Sequence, residues 1–370
     1  LNDIVERAWF SEGKYCQKYL ELIEKKLGSS FNYLAPNGTL GLFLALRIFK
    51  NDFPNGDVLV PSFTFYGSAS SIIYAGYNPI FVDCDNKFLM DTNKVLEFLR
   101  KKTTIKNGKC FNKKTKRRII GLILVHTFGN LVNLNSNFIK ECKKRNIKVI
   151  EDSAESLGSY YLDRLNKKHS GTIGDLGCLS FNGNKIITSG GGGAIVFKDL
   201  KLYKRANYLA SQAKDNSTYF IHNDVGYNFK ISNLHSAIGI AQFTRIKETL
   251  KKKEKIHSMY LKELNKIKGL KILEKPNYCK SNYWLNILII EEKKYGLSKD
   301  KIIKLFKNRG IETRSVWRPN HLQKPFKNFE NYQLINSYKL YKKSLCLPSS
   351  FSLSFKEQNI IINLLKNKFK

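Results

Sequence analysis

The feature that most constrains the fold of this chain is an alternation of apolar runs and amphipathic segments between residues 37 and 197. Runs such as Ile119–Val125 are apolar at every position, which is typical of strands buried on both faces of a sheet. Segments with helical spacing, such as 136–145, separate these runs. This alternation predicts an α/β fold with a mostly parallel sheet covered by helices.

The last third of the chain has fewer apolar runs and more charged segments. Helical spacing occurs there in three segments, residues 232–268, 299–307 and 355–368. We therefore expect a large α/β domain over residues 1–245 and a smaller C-terminal α+β domain over residues 246–370. A chain of 370 residues is long enough for both.

A second unusual feature is the sign of the charge. The chain has 64 Lys plus Arg against 30 Asp plus Glu, a formal net charge of +34, and its apolar fraction of 42% excludes a disordered chain. Such a charge first suggests a nucleic-acid-binding protein. However, 52 of the cations are lysines, whereas base recognition favours arginine. The lysines are spread along the chain in short runs, such as 113–118, so we expect a solvated surface and no specific nucleic-acid partner.

The seven cysteines are widely spaced, and no pair has the spacing of a metal-binding motif. We expect reduced core cysteines, no metal site and a cytoplasmic protein. No apolar run approaches the length that spans a bilayer, so we expect no membrane span. Because the chain starts at Leu1 and not at Met, we expect that a short N-terminal piece is missing.

Polar residues stand at or near the ends of the predicted strands. They are Asp83, His126, Asp152 and Ser180. In parallel sheets, ligands bind outside the carboxyl ends of the strands. We therefore expect the chemistry of this protein at that edge of the sheet.

Asp152 and Lys185, which lie 33 residues apart, are the residue types that pyridoxal phosphate chemistry needs. A lysine amine bonds to the cofactor aldehyde and later moves a proton. A carboxylate beside the pyridine nitrogen keeps it protonated, which makes the ring an electron sink. Gly38 and Thr39, ahead of a helix, offer a phosphate site. Gly190–193 suit a tight turn between strands at least as well as a phosphate loop.

Six short motifs occur in a fixed order along nearly the whole chain. They are Gly38-Thr39, Pro61-Ser-Phe-Thr-Phe65, Phe81-Val-Asp83, Glu151-Asp152-Ser-Ala-Glu155, Ser180-Phe-Asn-Gly-Asn-Lys185 and Gly226-Tyr-Asn228. In combination they resemble the motifs of the pyridoxal-phosphate-dependent nucleotide-sugar aminotransferases, the DegT/DnrJ/EryC1/StrS family. The resemblance implies an aspartate-aminotransferase-type fold (fold type I) and pyridoxal 5'-phosphate as cofactor.

The resemblance also implies roles for residues at the catalytic centre. Lys185 matches the lysine that bonds to the cofactor, and Asp152 matches the partner of its pyridine nitrogen. Phe65 matches the aromatic side chain that stacks on the cofactor ring, with a core phenylalanine as the alternative. Glu155 stands where many members have Gln or His near the cofactor hydroxyl, and an ionised Glu could not donate a hydrogen bond there.

Four further residues match the family's phosphate-binding positions. Gly38, Thr39 and Ser180 match the cradle of the cofactor phosphate. Asn228 matches an asparagine that reaches the phosphate of the neighbouring subunit. The resemblance therefore implies a homodimer with shared active sites.

On the substrate side, the resemblance points to four residues, Lys230, Arg314, Trp317 and His321. Lys230 stands where the family often has arginine. A lysine would supply a single compact charge there and not the paired N–H donors of a guanidinium group. Trp317 could instead pack between the domains, and His321 could cap a loop. His126 also matches a family histidine, with structural hydrogen bonding as the alternative.

Relatives with histidine in place of Lys185 are deoxygenating dehydratases, so the lysine favours transamination. We predict amine transfer from L-glutamate to a nucleoside-diphosphate-linked 4-keto-6-deoxy sugar for glycan biosynthesis. The first choice is a UDP-linked 2-acetamido-4-keto-2,6-dideoxyhexose, and the product would be of the bacillosamine, perosamine or viosamine type. The alternatives are a 3-keto sugar, a non-catalytic basic nucleic-acid-binding relative, and a regulator that keeps the cofactor.

Overall fold

A computed structural model describes residues 1–50, 52–162 and 167–369 of the chain. Its α-helices are α1 (Asn2–Glu6), α2 (Lys14–Leu27), α3 (Gly38–Arg47), α4 (Tyr66–Tyr74), α5 (Thr92–Lys101), α6 (Ser136–Lys144), α7 (Leu200–Ala210), α8 (Asn233–Thr244), α9 (Ile246–Leu264), α10 (Glu292–Tyr295), α11 (Lys299–Lys307), α12 (Asn336–Lys343) and α13 (Phe355–Lys366). Short 3-10 helices span Thr127–Gly129, Asn320–Leu322 and Lys324–Phe326.

The strands are β1 (Asn32–Ala35), β2 (Asp57–Pro61), β3 (Asn78–Val82), β4 (Thr103–Lys106), β5 (Lys109–Asn112), β6 (Ile119–Val125), β7 (Lys148–Asp152), β8 (Tyr160–Leu162), β9 (Lys167–His169), β10 (Leu176–Ser180), β11 (Gly193–Phe197), β12 (Lys214–Asn216), β13 (Ile221–His222), β14 (Leu270–Ile272), β15 (Cys279–Lys280), β16 (Asn286–Ile290), β17 (Arg314–Ser315), β18 (Asn331–Tyr332) and β19 (Ser344–Leu347).

The main sheet has eight strands in the order β1-β11-β10-β7-β6-β2-β3-β18. Neighbours from β10 to β18 are parallel, and β11 pairs antiparallel with both β1 and β10. Every residue of β2, β6 and β10 is buried, because helices cover both faces. The predicted α/β fold with a mostly parallel sheet is confirmed.

Side-chain caps set the starts of several helices. Asn37 accepts a hydrogen bond from the Leu40 amide at 2.9 Å and so begins α3. The start of α6 is set in the same way. Asn135 caps this helix, because its side-chain oxygen accepts from the Phe138 amide at 2.9 Å.

A second, four-stranded antiparallel sheet has the order β14-β16-β19-β17. Its core contains residues of α9, α11 and α13. The chain after α8 also supplies β18, which pairs with β3, and β15, which pairs with β8. The division at residue 245 lies between α8 and α9 and stays a prediction.

The hairpin of β4 and β5 was not predicted from the sequence. Asn107 and Gly108 form its turn with φ of 48° and 68°, which is the left-handed conformation that two-residue hairpin turns require. The Asn-Gly pair was therefore an available signal. It lies in a lysine-rich segment with little apolar alternation, and this composition hid the two strands.

Six cysteines are buried and the seventh, Cys346, is half-buried. Burial raises the pKa of the Cys84 and Cys178 thiols, so these thiols stay protonated and unreactive. Within the described ranges, no helix is long and apolar enough to cross a membrane. The same ranges contain no cluster of His, Cys, Asp and Glu suited to a metal ion.

Candidate active site

Asp152 is the last residue of β7, and its side chain is buried. Ser68 Oγ donates to its Oδ2 at 2.6 Å, and the Ala154 amide donates to its Oδ1 at 3.1 Å. Both oxygens are thus fixed in orientation. Burial raises the pKa of Asp152, and the Ser68 hydrogen bond and the charge of Lys185 act against this rise. A carboxylate held in this way is ready to accept a proton or a cationic partner.

Lys185 lies in the turn that follows β10. Its Nζ stands 4.1 Å from the ring centroid of Trp284. Burial lowers the pKa of Lys185, and the carboxylates of Glu155 and Asp152 act in the opposite direction. The amine therefore lies close enough to both carboxyl groups for their charges to interact, although β7 and this turn are distant in sequence. A lysine with a lowered pKa is available as a nucleophile and as a proton carrier.

Glu155 is the third ionisable group of this cluster, and it is 4% exposed. Its Oε2 accepts a hydrogen bond from the Phe128 amide at 2.7 Å. Burial raises the pKa of Glu155 to about 8. At neutral pH the carboxyl group is therefore mainly protonated. An ionised Glu could not donate a hydrogen bond to a cofactor hydroxyl, but a protonated Glu can. Glutamate at this position is therefore compatible with the predicted cofactor.

Two helix N-termini and the end of β10 meet beside this cluster. A Cβ added to Gly38 would lie 3.0 Å from Ser180 Cβ, and one added to Gly67 would lie 2.6 Å from Thr39 Oγ1. The first turns of α3 and α4 therefore lie so close to each other and to Ser180 that a side chain at either glycine would displace a neighbour. Free N–H groups and hydroxyls at such termini suit a phosphate. The residues present thus fit the phosphate end of the predicted cofactor.

Phe65 immediately precedes α4 and is 54% exposed. Its ring meets Trp317 edge to face, with centroids 6.2 Å apart. The exposed ring face leaves room for a stacking partner, and the alternative of a core phenylalanine does not fit this exposure. Trp317 itself packs on Phe63 and Phe128, with centroids 5.7 and 4.9 Å away, so it holds a segment of the C-terminal third against the end of β2.

His321 and Arg314 lie on the small-domain side. His321 Nδ1 is 2.5 Å from Ser62 Oγ, at the end of β2, and burial lowers the pKa of this histidine. His321 therefore fixes a loop at the carboxyl edge of the sheet. Arg314 is largely exposed and forms an ion pair with Glu312 at 2.6 Å.

The structure places Lys230 and Asn228 at the surface. Lys230 forms an ion pair with Glu12. Asn228 is exposed and pairs with Ser211 through a backbone bridge. Neither contact involves Lys185 or Asp152. The role of Asn228 toward a second subunit stays a prediction.

Two of the four strand-end residues have structural partners. His126 Nε2 donates to Glu151 Oε2 at 2.8 Å, and its Nδ1 accepts from the Val132 amide at 3.2 Å. Asp83 accepts from the backbone amides of residues 335–337 and so holds the start of α12. Both side chains position elements around the site and do not face the Lys185 amine.

Trp284 is the residue that sequence reasoning missed. Its indole N–H donates to the Asn184 carbonyl at 2.7 Å, next to Lys185. Its own carbonyl accepts from the buried Lys253 Nζ at 2.9 Å, and the same amine bonds to the Ser349 carbonyl. A segment of the C-terminal third thus holds both the loop and the amine of Lys185. The apolar run 283–290 contains Trp284, but spacing alone could not show this contact.

Replacing Trp284 with leucine is expected to lower the pKa of Lys185 further, because the ring contact stabilises the protonated amine. A desolvated cation–π contact contributes about 2 kcal/mol, which is roughly thirtyfold in the protonation equilibrium of the amine. Phenylalanine keeps a ring and loses only the indole hydrogen bond, so Trp284→Phe should change this equilibrium less than tenfold. The measurement is the pH at which an amine reagent labels Lys185, which should fall in Trp284→Leu.

A matched control is Phe306→Leu, which removes a buried aromatic ring from the small-domain core. It should lower stability without moving the labelling pH of Lys185. A native labelling pH in Trp284→Leu would contradict a direct contact between ring and amine.

Replacing Glu155 with glutamine is expected to change how stability depends on pH. Because folding raises the pKa of Glu155 to about 8, the native protein loses stability as pH rises from about 4.5 to 8, by a few kcal/mol at most. Glutamine does not titrate, so the variant should gain relative to the native protein over this window. Urea unfolding at both ends of the window measures the difference.

The control is Glu292→Gln, which changes an exposed glutamate and should show no such change. Equal pH profiles for the native protein and Glu155→Gln would contradict the raised pKa of Glu155.

Comparison with known proteins adds an independent line of evidence. The sequence model of the DegT/DnrJ/EryC1/StrS aminotransferase family matches residues 1–366. EpsN from Bacillus subtilis (strain 168) is 31% identical over 368 residues, which cover 96% of this chain and 88% of that protein. A GDP-perosamine synthase from Vibrio cholerae is 29% identical over 377 residues, which cover 100% of this chain and 95% of that protein.

Solved structures agree on the fold. A DegT DnrJ EryC1 StrS aminotransferase from Brucella abortus superposes with a TM-score of 0.87 at 22% identity. The match covers 100% of this chain and 94% of that one. The large sheet, the smaller antiparallel sheet and their order along the chain are thus those of a known architecture.

Proposed function

Because the chain belongs to the DegT/DnrJ/EryC1/StrS aminotransferase family, we propose that it transfers an amino group from L-glutamate to the C4 position of a nucleotide-linked 4-keto-6-deoxy sugar. It is a pyridoxal-phosphate-dependent aminotransferase that acts on nucleotide sugars. The amine donor, the sugar and the nucleotide belong to the proposal.

The observation that carries the proposal is the cluster of the half-buried Lys185 with the buried carboxyl groups of Asp152 and Glu155. Lys185 and Asp152 come from separate strand ends, and their charges interact. When bound, the cofactor supplies an aldehyde carbon that accepts the amine and a ring that delocalises electrons. Asp152 would hold the ring nitrogen, and Gly38, Thr39 and Ser180 would hold the phosphate. Phe65 would cover one ring face.

The remaining steps belong to the side chains of this protein. With the cofactor bound, Lys185 would hold its aldehyde carbon and would carry a proton to and from the reacting carbon of the substrate. Its lowered pKa keeps part of the amine in the neutral form that can accept the proton. Asp152 stays fixed by Ser68 and Ala154, so it needs no reorganisation during the reaction. Glu155, when protonated, would donate a hydrogen bond to an oxygen of the cofactor.

A cavity of about 380 Å³ opens beside Lys185 and is also lined by Trp284 and Arg245. Of the residues assigned to the cofactor and the substrate, only Lys185 lines this cavity, so the choice of sugar rests on other grounds. The first candidate substrate is the UDP-linked 2-acetamido-4-keto sugar. A GDP-linked 4-keto-6-deoxy sugar is the second candidate, because a relative that matches the whole chain is a GDP-perosamine synthase.

We further propose a homodimer in which Asn228 of each subunit reaches the phosphate of the other. The exposure of Asn228 and of Phe65 supports this arrangement, because an active-site ring that is half exposed in one subunit can be covered by a second. A cytoplasmic location also stays a prediction.

The function is tested by incubating purified protein with pyridoxal phosphate, L-glutamate and a panel of UDP-, GDP- and dTDP-linked 4-keto-6-deoxy sugars. Mass spectrometry should detect the amino sugar from one member of the panel, together with 2-oxoglutarate in equal amount. A parallel incubation with nucleotide-linked 3-keto sugars tests the alternative substrate class. If glutamate converts the cofactor to its amine form while no sugar is aminated, the substrate assignment is wrong and the cofactor assignment stands.

A further inference from the structure

Residues 100–118 form the most basic segment of the chain. These 19 residues contain 10 of the 64 cations and none of the 30 acidic residues. The segment includes the end of α5, the β4–β5 hairpin and the loop that leads to β6; we refer to it as the basic hairpin. The charge density there far exceeds that of the rest of the chain, so a uniform composition bias does not explain it. No step of the proposed function uses this segment.

The basic hairpin is held in a defined position. Asn112 Nδ2 bonds to Glu330 Oε2 at 2.7 Å and to Asp57 Oδ2 at 3.2 Å. Arg117 forms an ion pair with Asp57 at 2.6 Å, and the buried Arg118 lies over the Phe53 ring. Cys110 is fully buried in the large-domain core. The hairpin is therefore an ordered platform and not a loose charged loop.

The cations that remain on its surface lack acidic partners. Among the described residues, seven exposed cations of the segment form no ion pair, namely Arg100, Lys102, Lys106, Lys109, Lys113, Lys114 and Lys116. Lys106 and Lys109 also stand directly opposite each other in the strand register. Like charges in this position destabilise a hairpin. An anionic surface that neutralises them would remove this cost.

We propose that the basic hairpin docks the protein onto an anionic lipid bilayer. Clusters of four to eight lysines and arginines bind such surfaces, and each cation contributes roughly fivefold to the binding constant. Most of the exposed cations are lysines, which suit a headgroup layer because they need no fixed geometry. Ile105, between them, is 46% exposed and can enter the boundary between headgroups and acyl chains.

Other features favour a bilayer over a nucleic acid. Two of the three arginines, Arg117 and Arg118, are engaged by Asp57 and by Phe53, so they are not available for base recognition. Phe111, the aromatic residue of the hairpin, is half-buried and offers no free face for base stacking.

The position of the hairpin is compatible with catalysis. The hairpin is anchored at Asp57, the first residue of β2, and it leads into Ile119, the first residue of β6. These two strands are parallel, so the hairpin lies at the amino-terminal end of the sheet. Asp152 and Ser180 end β7 and β10 at the opposite edge of the same sheet. A bilayer bound at the amino-terminal ends of the strands therefore leaves their carboxyl-terminal ends, where the proposed active site lies, open to substrate.

The test is co-sedimentation of the full chain with vesicles of phosphatidylcholine and phosphatidylglycerol, mixed at roughly 2:1, in about 0.1 M salt. The hairpin variant carries glutamine at Arg100, Lys102, Lys106, Lys109, Lys114 and Lys116. The control variant carries glutamine at six exposed small-domain lysines, Lys251, Lys255, Lys262, Lys293, Lys301 and Lys307. Both variants have the same net charge. We expect the hairpin variant to bind at least a hundredfold more weakly and the control to bind almost as the native protein does.

A milder variant protects the test against misfolding. The double change Lys106→Gln and Lys109→Gln should weaken vesicle binding about twenty-five-fold while the thermal midpoint stays the same or rises. All variants should keep the aminotransferase rate. The proposal is overturned if native protein binds pure phosphatidylcholine equally well, if the control loses as much as the hairpin variant, or if duplex DNA displaces the vesicles through the same six residues.

Discussion

Lys185→Ala is expected to abolish amine transfer, with a fall in kcat of at least roughly 10⁴-fold. General acid–base catalysis alone contributes about 10²–10⁴, and the variant also loses the covalent attachment of the cofactor. The amine of the half-buried Lys185 has no substitute within the cluster that it forms with Asp152 and Glu155. The visible absorption band of the lysine-bound cofactor should disappear. Steady-state rates and the spectrum of the purified protein measure the two effects.

Small primary amines provide a sharper readout for the same variant. Methylamine can enter the space left by the lysine and carry the proton, so it should restore part of the rate in proportion to its concentration. The matched control Lys198→Ala removes an exposed lysine and should keep both the band and the rate. If Lys185→Ala kept the band, the cofactor would be attached to another residue.

Asp152→Asn is expected to lower kcat by roughly 10³-fold while cofactor binding persists. The amide keeps the shape of the side chain and can still accept the Ser68 hydrogen bond. It lacks the negative charge that keeps the ring nitrogen protonated, and removing one electrostatic contact of this kind costs about 10²–10³ in rate. The cofactor band should remain but shift in wavelength. Single-turnover measurements with glutamate isolate the affected step.

Ser68→Ala serves as the graded companion to Asp152→Asn. It removes one hydrogen bond that orients Asp152 but keeps the charge, so it should cost about tenfold at most. A Ser68→Ala rate as low as that of Asp152→Asn would mean that orientation, and not charge, is the main contribution of the carboxylate.

Much of the large domain could be predicted from its apolar runs. The run 119–125 coincides with β6, and the segment 299–307 coincides with α11, because continuous burial and helical spacing leave clear patterns. The single helix expected over 232–268 is instead two helices, α8 and α9, that meet at Arg245. The strand β18 has two residues, and its pairing with β3 is distant in sequence. Short partners of this kind are set by tertiary contacts and leave no periodic signal.

The proposed catalytic centre could be predicted from sequence only where a motif carries it. Asp152 and Lys185 stand in motifs, and the structure brings them into one cluster. The raised pKa of Glu155 could not be predicted, because it depends on burial that the motif does not express. Trp284 was missed for a related reason, since it reaches the Asn184 carbonyl from the segment before β16, a hundred residues later in the chain. Contacts between domains follow from packing, which a single sequence does not record.

The hydrogen bonds of Trp284 have a consequence for engineering. Grafting the small domain of a relative onto this large domain, in order to change the accepted sugar, would also replace the support of the reactive amine. Lys253, Trp284 and Ser349 form one hydrogen-bonded unit with the Lys185 loop. Chimeras that transplant all three together should stay active, whereas those that cut between them should bind substrate and turn over slowly.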